Sequence, residues 1–234
     1  MFKQIEALAH SKHKDLRFSR AASFAFADTL SSVKLSFSEL RPASLYYPIV
    51  FFKGGSCLPQ AVLSLTPGKN DLIDGKGNWK APYIPAFFRF YPFILATLPD
   101  QGDKLALCID PEADHFKSGM GDPLFTADGK ATEFVRNILK SLEGYQKEIQ
   151  TTENLFKGLD EQGLIVDREF KYRVGQTEKT VNGFKGVDTE KLLAMDDKQI
   201  AAFVKNGAMG MVYEHTHSLA NFSKFTSPAA TSGA

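Results

Sequence analysis

Between Trp79 and Phe93 the chain sets one Trp, two Tyr, four Phe and three Pro behind the Gly-rich stretch Asp74-Gly-Lys-Gly-Asn78. Pro82, Pro85 and Pro92 each fix a backbone torsion and lower the entropy lost when the segment orders, and the rings supply a large apolar area to bury. The segment therefore enters the fold as a rigid clasp. Pro85 suits the first turn of a short helix running to Tyr91, and Pro92 ends it.

The remainder of the chain is able to enclose such a clasp. At 234 residues, with 43% hydrophobic residues and 20 Phe, it can bury a full core in which aromatic packing dominates. Twenty-eight Lys and Arg against 27 Asp and Glu leave a net charge of +1, so no global field favours nucleic acid or an anionic membrane. No run approaches the ~18 apolar residues of a membrane span. The first ten residues carry Glu6 and His10 where a secretory leader needs an unbroken apolar run, so the expected location is cytoplasmic. Cys57 and Cys108 stand in apolar surroundings without metal-ligand spacing and read as free, buried thiols.

Residues 1–45 show no clean periodicity and read as an irregular arm with a short helix over Phe37–Ala43. Tyr46–Lys53, Gly54-Gly55 and Leu58–Leu65 form a hairpin pattern, Leu72–Asp74 suggests a short strand, and Asp74–Asn78 is a turn by composition. Lys104–Asp110 has strand length and is followed by a loop rich in turn residues through Gly129. From Thr132 to Gly163 apolar residues recur at helical spacing, with a break expected at Thr151-Thr152 and a stop at Gly163. Leu164–Val174 and Thr180–Val187 read as a second hairpin around Gly175–Lys179. Asp196 with Gln199 fits a capping box for a helix to Asn206, Gly207–Phe225 reads as a closing helix, and residues 226–234 as a disordered tail. The fold class is α+β: a mainly antiparallel sheet with hairpins, one long central helix and C-terminal helices.

The common catalytic signatures are missing: there is no nucleophile elbow, no Walker A sequence and no dinucleotide-type glycine motif. Gly75-Lys-Gly-Asn-Trp reads as a plain turn before it reads as an anion cradle. His13-Lys-Asp15, with a distant histidine such as His115, His215 or His217, has the letters of a two-His-one-carboxylate iron(II) site, against the simpler reading of a polar turn. His215 and His217 lie on different faces of a helix, one packed and one solvated. His115, in Asp110-Pro-Glu-Ala-Asp-His, lies in an acidic loop that could chelate a divalent cation but lacks the ligand order of an EF-hand, and reads as solvated. The aromatic segment itself has two readings. Its rings are core residues, or Trp79, Tyr83 and Tyr91 line an apolar groove in which Arg89 clamps a carboxylate, an arrangement suited to a peptide.

Tyr47-Pro-Ile-Val-Phe51, the block Asn70–Phe93 containing Trp79-Lys-Ala-Pro-Tyr-Ile-Pro-Ala86, and Leu107-Cys-Ile-Asp110 together resemble the SapC family of bacterial proteins. His13–Arg17, Gly121–Phe125 and Gly207–His215 resemble further blocks of that family, so the likeness extends through nearly the whole chain. Phe90 stands where the family pattern often has a second Arg. The resemblance implies a single domain over residues 1–225, an association with bacterial surface layers, and relatives encoded beside TonB-dependent outer-membrane receptors and oxygenase-like proteins. It transfers no catalytic residue set and no cofactor. The expectation is a non-catalytic binding or accessory protein for a peptide or protein partner, with an iron(II) oxygenase-like enzyme using His13, Asp15 and His215 as the alternative.

Overall fold

The structure is a computed structural model and describes residues 1–20, 23–97, 105–174 and 177–226. The strands, in chain order, are β1 (Glu6–Ala7), β2 (Arg17–Phe18), β3 (Ser32–Lys34), β4 (Ile49–Phe52), β5 (Gln60–Val62), β6 (Phe93–Thr97), β7 (Leu105–Ile109), β8 (Asp122–Pro123), β9 (Ile165–Val174) and β10 (Thr177–Val187). The helices are α1 (His10–His13), α2 (Phe37–Ser44), α3 (Ala86–Phe90), α4 (Glu133–Glu161), α5 (Thr189–Leu193), α6 (Asp197–Lys205), α7 (Ala208–Ser218) and α8 (Ser223–Thr226). All strand pairs are antiparallel, and the α+β class expected from the sequence is the one found. The chain forms two compact units, one of Met1–Thr29, Ile73–Lys80 and Ala86–Lys147, the other of Leu30–Leu72, Ala81–Pro85 and Glu148–Ala234.

In the first unit β7 is the middle strand of a three-stranded sheet, with β1 on one side and β6 on the other. Ile109 stands opposite both Glu6 and Phe93, so the strand that ends at Asp110 anchors the N-terminal residues and the end of the aromatic segment together. Tyr91, Phe93, Ile109, Phe116, Leu124, Val135 and Leu142 form the buried core, and Phe18 stacks on Phe134, tilts against Phe93 and meets Phe116 edge-on, at 5.1–6.3 Å. The arm is therefore not irregular. Its strands are two or three residues long, too short to show a period, and β1 and β2 pair with segments about a hundred residues away. Strand β6 differs from the sequence expectation, in which Pro92 reads as a helix stop rather than as the entry to a strand.

In the second unit five strands form a sheet in the order β3–β5–β4–β10–β9. The first hairpin has the expected pairing, Ile49 opposite Ala61, and in the second β10 begins at Thr177, three residues before the position the turn composition suggests. Residues 175 and 176 of that expected turn, and 227–234 of the expected tail, lie outside the described residues. Helix α4 is unbroken through Thr151-Thr152. Thr152 is fully buried, and its hydroxyl donates to the Glu148 carbonyl at 2.6 Å, a back-bond that keeps a β-branched residue inside the helix. Gly163 ends the segment at φ +65°, as its position suggested. Asp196 caps α6 by accepting from the Lys198 and Gln199 amides.

His215 on α7 ties this sheet together. Its ring is fully buried, Nε2 accepts from the Val187 amide of β10 at 3.0 Å, and Nδ1 therefore carries the proton it donates to the Ile49 carbonyl of β4 at 2.8 Å. Ser218, one turn further on, accepts from the Ile49 amide at 2.9 Å and donates to the His215 carbonyl at 2.6 Å. Gly186 permits this approach, since a Cβ there would lie 3.0 Å from His215 Nε2 and 3.1 Å from Arg168 Cγ. His217, by contrast, is exposed, so the two histidines separate as helical spacing requires.

Burial pulls the pKa of His215 from 6.5 to about 4, with the nearby Arg168 charge acting in the same direction and the Ile49 carbonyl opposing it. The folded state holds the neutral ring while the unfolded chain takes up a proton near 6.5, so this contribution is complete above that pH and is lost as pH falls towards 4. Between pH 7.5 and 4.5 the wild type should lose about 2–3 kcal/mol more unfolding free energy than His215→Gln, measured by urea titration at each pH.

Candidate functional site

The Gly-rich turn before the aromatic segment is closed on itself. The Asp74 carboxylate accepts from the backbone amides of Lys76 and Asn78, both at 2.8 Å, and from the Asn78 side chain at 2.9 Å. Asn78 first among these holds the Asp74 carboxyl below the usual range. The amides that an anion would need are thus bound by the chain's own carboxylate, and the turn reading holds over the cradle reading. Gly77, at φ +83°, must be glycine twice over, because a Cβ there would come within 2.0 Å of Ser23 Oγ. Its carbonyl accepts from the Phe24 amide at 2.7 Å.

This docking starts a row of rings in the first unit. Trp79 meets Phe88 at 5.0 Å and Phe24 at 5.7 Å, Phe24 meets Phe26 at 5.9 Å, and Phe26 stacks on Tyr91 at 4.1 Å with 20° between the planes. The row ends in a cleft of about 490 Å³, within the range of small-ligand sites. Phe26, Tyr91 and His115 are its aromatic surface, and Lys3, Asp28, Glu112 and Asp114 bring charge to it.

Tyr91 is buried, and its hydroxyl donates to Asp110 Oδ2 at 3.0 Å. Burial, reinforced by Asp110, pushes its pKa well above the usual phenol value, so the group is a fixed donor rather than a base. Asp110 has no exposure at all and accepts two further bonds, from the Lys3 amide at 2.8 Å and the Glu112 amide at 3.2 Å. His115 sits on a 3₁₀ turn, Asp114–Phe116, with its ring 5.6 Å from Phe18, 5.8 Å from Phe26 and 5.2 Å from Tyr91. It is 7% exposed, and its Nδ1 is the single buried side-chain nitrogen or oxygen among the described residues without a hydrogen-bond partner. Burial holds its pKa below 6.5, against the pull of Asp114. The solvated loop expected around His115 is corrected: Asp110, Ala113, His115 and Phe116 face inward, and Glu112 and Asp114 face out.

Of the four aromatic-segment residues singled out from the sequence, Tyr91 lines the cleft and Trp79 supports it from behind through Phe24 and Phe26. Arg89 is exposed on α3. Tyr83 belongs to the other unit, where its hydroxyl donates to the buried carboxylate of Glu39 at 3.0 Å and its carbonyl accepts from the Tyr47 hydroxyl. Phe26, Asp28 and Asp110 were not legible as site residues, and the sequence offers His115 only as a metal ligand; the cue to its burial is the apolar Phe116 directly after it.

The iron(II) alternative meets nitrogens already in use. His13 is buried, its Nδ1 accepts from the Ala9 amide at 3.1 Å, and its Nε2 lies 3.7 Å from Glu6 Oε2. Both nitrogens of His215 are bonded to backbone, as described above, and Asp15 is exposed beside a different, shallow cleft with His10 and Arg17. Among the described residues no group of three or more His, Cys, Asp or Glu is placed to hold a metal ion. Both cysteines are free, Cys108 buried and Cys57 half-buried, and burial pushes both thiols up.

The family model described as SapC matches residues 8–225, which takes in every block on which the sequence likeness rests. The chain belongs to the SapC family. No curated protein and no solved structure matches it. No helix among the described residues of this SapC-family chain is long and apolar enough to cross a membrane.

The row of rings gives opposite expectations for two substitutions at the edge of the segment. Trp79→Ala should cost about 2–3 kcal/mol of stability, somewhat less than for a fully enclosed ring, because Phe24 and Phe88 lose a shared neighbour. Arg89→Ala, at an exposed position, should change stability by less than about 0.5 kcal/mol. Denaturant unfolding of both variants followed by Trp or Tyr fluorescence and far-ultraviolet circular dichroism checks the pair.

Proposed function

We propose that this SapC-family chain is a non-catalytic binding or accessory protein that recognises a peptide or protein partner through the cleft of its first unit. The observation that carries the reading is a concave site whose aromatic surface is fixed before any ligand arrives. Phe26 is stacked on Tyr91, Tyr91 is bonded to a buried carboxylate, and Trp79 braces the row from behind. Rigid rings lose little conformational freedom on binding, which favours them as contact surface. The polar groups in the cleft suit recognition better than proton transfer, since Tyr91 is held as a phenol and His115 has neither a carboxylate nor a hydroxyl bonded at Nδ1. The setting proposed for it, on the sequence resemblance, is a surface-layer or receptor-linked uptake pathway, in which such a protein would engage a segment of another chain.

Panning a random heptapeptide library against the immobilised protein tests the reading. Ala25 and Thr29 are exposed at the cleft, and Ala25→Trp and Thr29→Trp place bulk in it without disturbing the core. Peptides enriched on the wild type should lose at least about tenfold in affinity, roughly 1.4 kcal/mol, for both plugged variants. Equal affinity for wild type and plugged proteins, or no enrichment at all, overturns the proposal.

A further inference from the structure

Strand β9 is the outer strand of the five-stranded sheet and is paired on one side alone, with β10. Its ten residues, Ile165–Val174, extend about 33 Å at the usual strand rise, nearly twice an ordinary strand. The register shift of this pair lies between Val181 and Phe184, so the extra residue belongs to β10 and β9 keeps its alternation unbroken. Among the described residues, no hydrogen bond beyond the ladder with β10 reaches the backbone of Ile165–Tyr172. Asp167, Arg168, Glu169 and Lys171 are exposed, and Phe170 and Tyr172 are half-buried. A free edge of this length is a template for another strand unless something keeps strands away.

Charges along an edge are the usual obstacle, because they repel what approaches. In β9 their order removes the obstacle for one partner. A two-fold axis through the sheet keeps its faces, so when β9 meets its own copy antiparallel, odd-numbered residues oppose odd and even oppose even. With Phe170 opposite Phe170 of the second copy, Glu169 stands opposite Lys171 on both sides of the axis. A shift of two residues one way sets Glu169 against Glu169, and the other way Lys171 against Lys171. Opposite charges facing across a strand pair stabilise it, and like charges destabilise it. Within one chain Lys171 already leans on Glu169 at 3.1 Å, with Glu178 of β10 acting on it as well, and Asp167 is held by Lys53 at 2.8 Å. The centred register therefore turns two in-strand pairs into four charges of alternating sign around the axis.

The other face of the strand supplies apolar contact. Phe170 stacks on Phe222 at 4.8 Å and on Tyr172 at 6.1 Å, so a row of rings runs out to the edge and ends half-buried there. We infer that the partner of this edge is a second copy of the chain, added β9 to β9 in antiparallel register about a two-fold axis at Phe170, so that two five-stranded sheets become one continuous sheet. The axis sets Phe170 beside its copy, and such aromatic cross-strand pairs stabilise a sheet. The contact uses the same strand on both sides and closes with two copies, which leaves no β9 edge open for further growth. It lies in the second unit and does not depend on the peptide reading of the cleft.

Sedimentation velocity and light scattering of the full chain, at concentrations up to about 200 μM, test this, and should show a monomer–dimer equilibrium with no larger species. Glu169→Lys and Lys171→Glu each set like charges opposite one another on both sides of the axis, and each should weaken the dimer at least about tenfold. The double variant Glu169→Lys with Lys171→Glu faces opposite charges again, and should return to within about threefold of the wild-type dissociation constant. Both positions are exposed, so the circular dichroism and melting temperature of the monomer should change little. A wild type that stays monomeric throughout overturns the inference. So does a dimer that survives both single swaps, which would use another face, and so does a double variant that fails to recover, which would deny the register.

Discussion

The buried carboxylate of Asp110 organises the first unit. A charge with no exposure survives only when its oxygens are bonded, and here the Tyr91 hydroxyl and the backbone amides of Lys3 and Glu112 converge on it. Each donor comes from a different piece of chain: the N-terminal residues before β1, the end of the aromatic segment, and the loop after β7. Satisfying one anion therefore fixes three elements at once. It places Tyr91 as the ring against which Phe26 stacks, and it starts the loop that carries Glu112, Asp114 and His115 to the cleft.

The second unit uses the same economy with a neutral group. His215 and Ser218 on α7 together bond both backbone groups of Ile49 and the amide of Val187, so that one helix face grips β4 and β10. Glu39 does likewise at the start of α2, closing a capping box with Ser36 while accepting from Tyr83. These interactions account for residues whose letters suggest chemistry. A histidine bonded to backbone at both nitrogens and a tyrosine bonded to a capping carboxylate are positioned for structure, and their donors and acceptors are spent on it.

The candidate site lies where the polar groups are not all satisfied. In the first unit that place is the cleft, where the aromatic surface is fixed by packing and His115 keeps an unmatched nitrogen. Packing of this kind holds a surface ready for a ligand at little entropic cost on binding. Trp79 reaches the cleft only through Phe24 and Phe26, so the aromatic segment braces the cleft from behind more than it lines it.

Local signals in the sequence were sufficient for local structure. The proline-bounded helix at Ala86–Phe90, the turn at Asp74–Asn78, the Asp196 cap, the Gly163 stop, the 3.6-residue stripe of α4 and the first hairpin all follow from residues within a few positions of one another, and the family likeness follows from contiguous blocks. What the sequence could not show depends on partners far away in the chain. The short strands β1 and β2 exist because β7 and β8 pair with them, and the acidic loop turns His115 inward because Phe18, Phe26 and Tyr91 surround it. Propensity and periodicity act over short range, so the longer elements, the caps and the turns, and the family likeness, were legible from the letters alone. Which polar groups are spent on the fold and which stay unpaired became visible in the packed chain, because burial and hydrogen bonding depend on residues brought together from far apart.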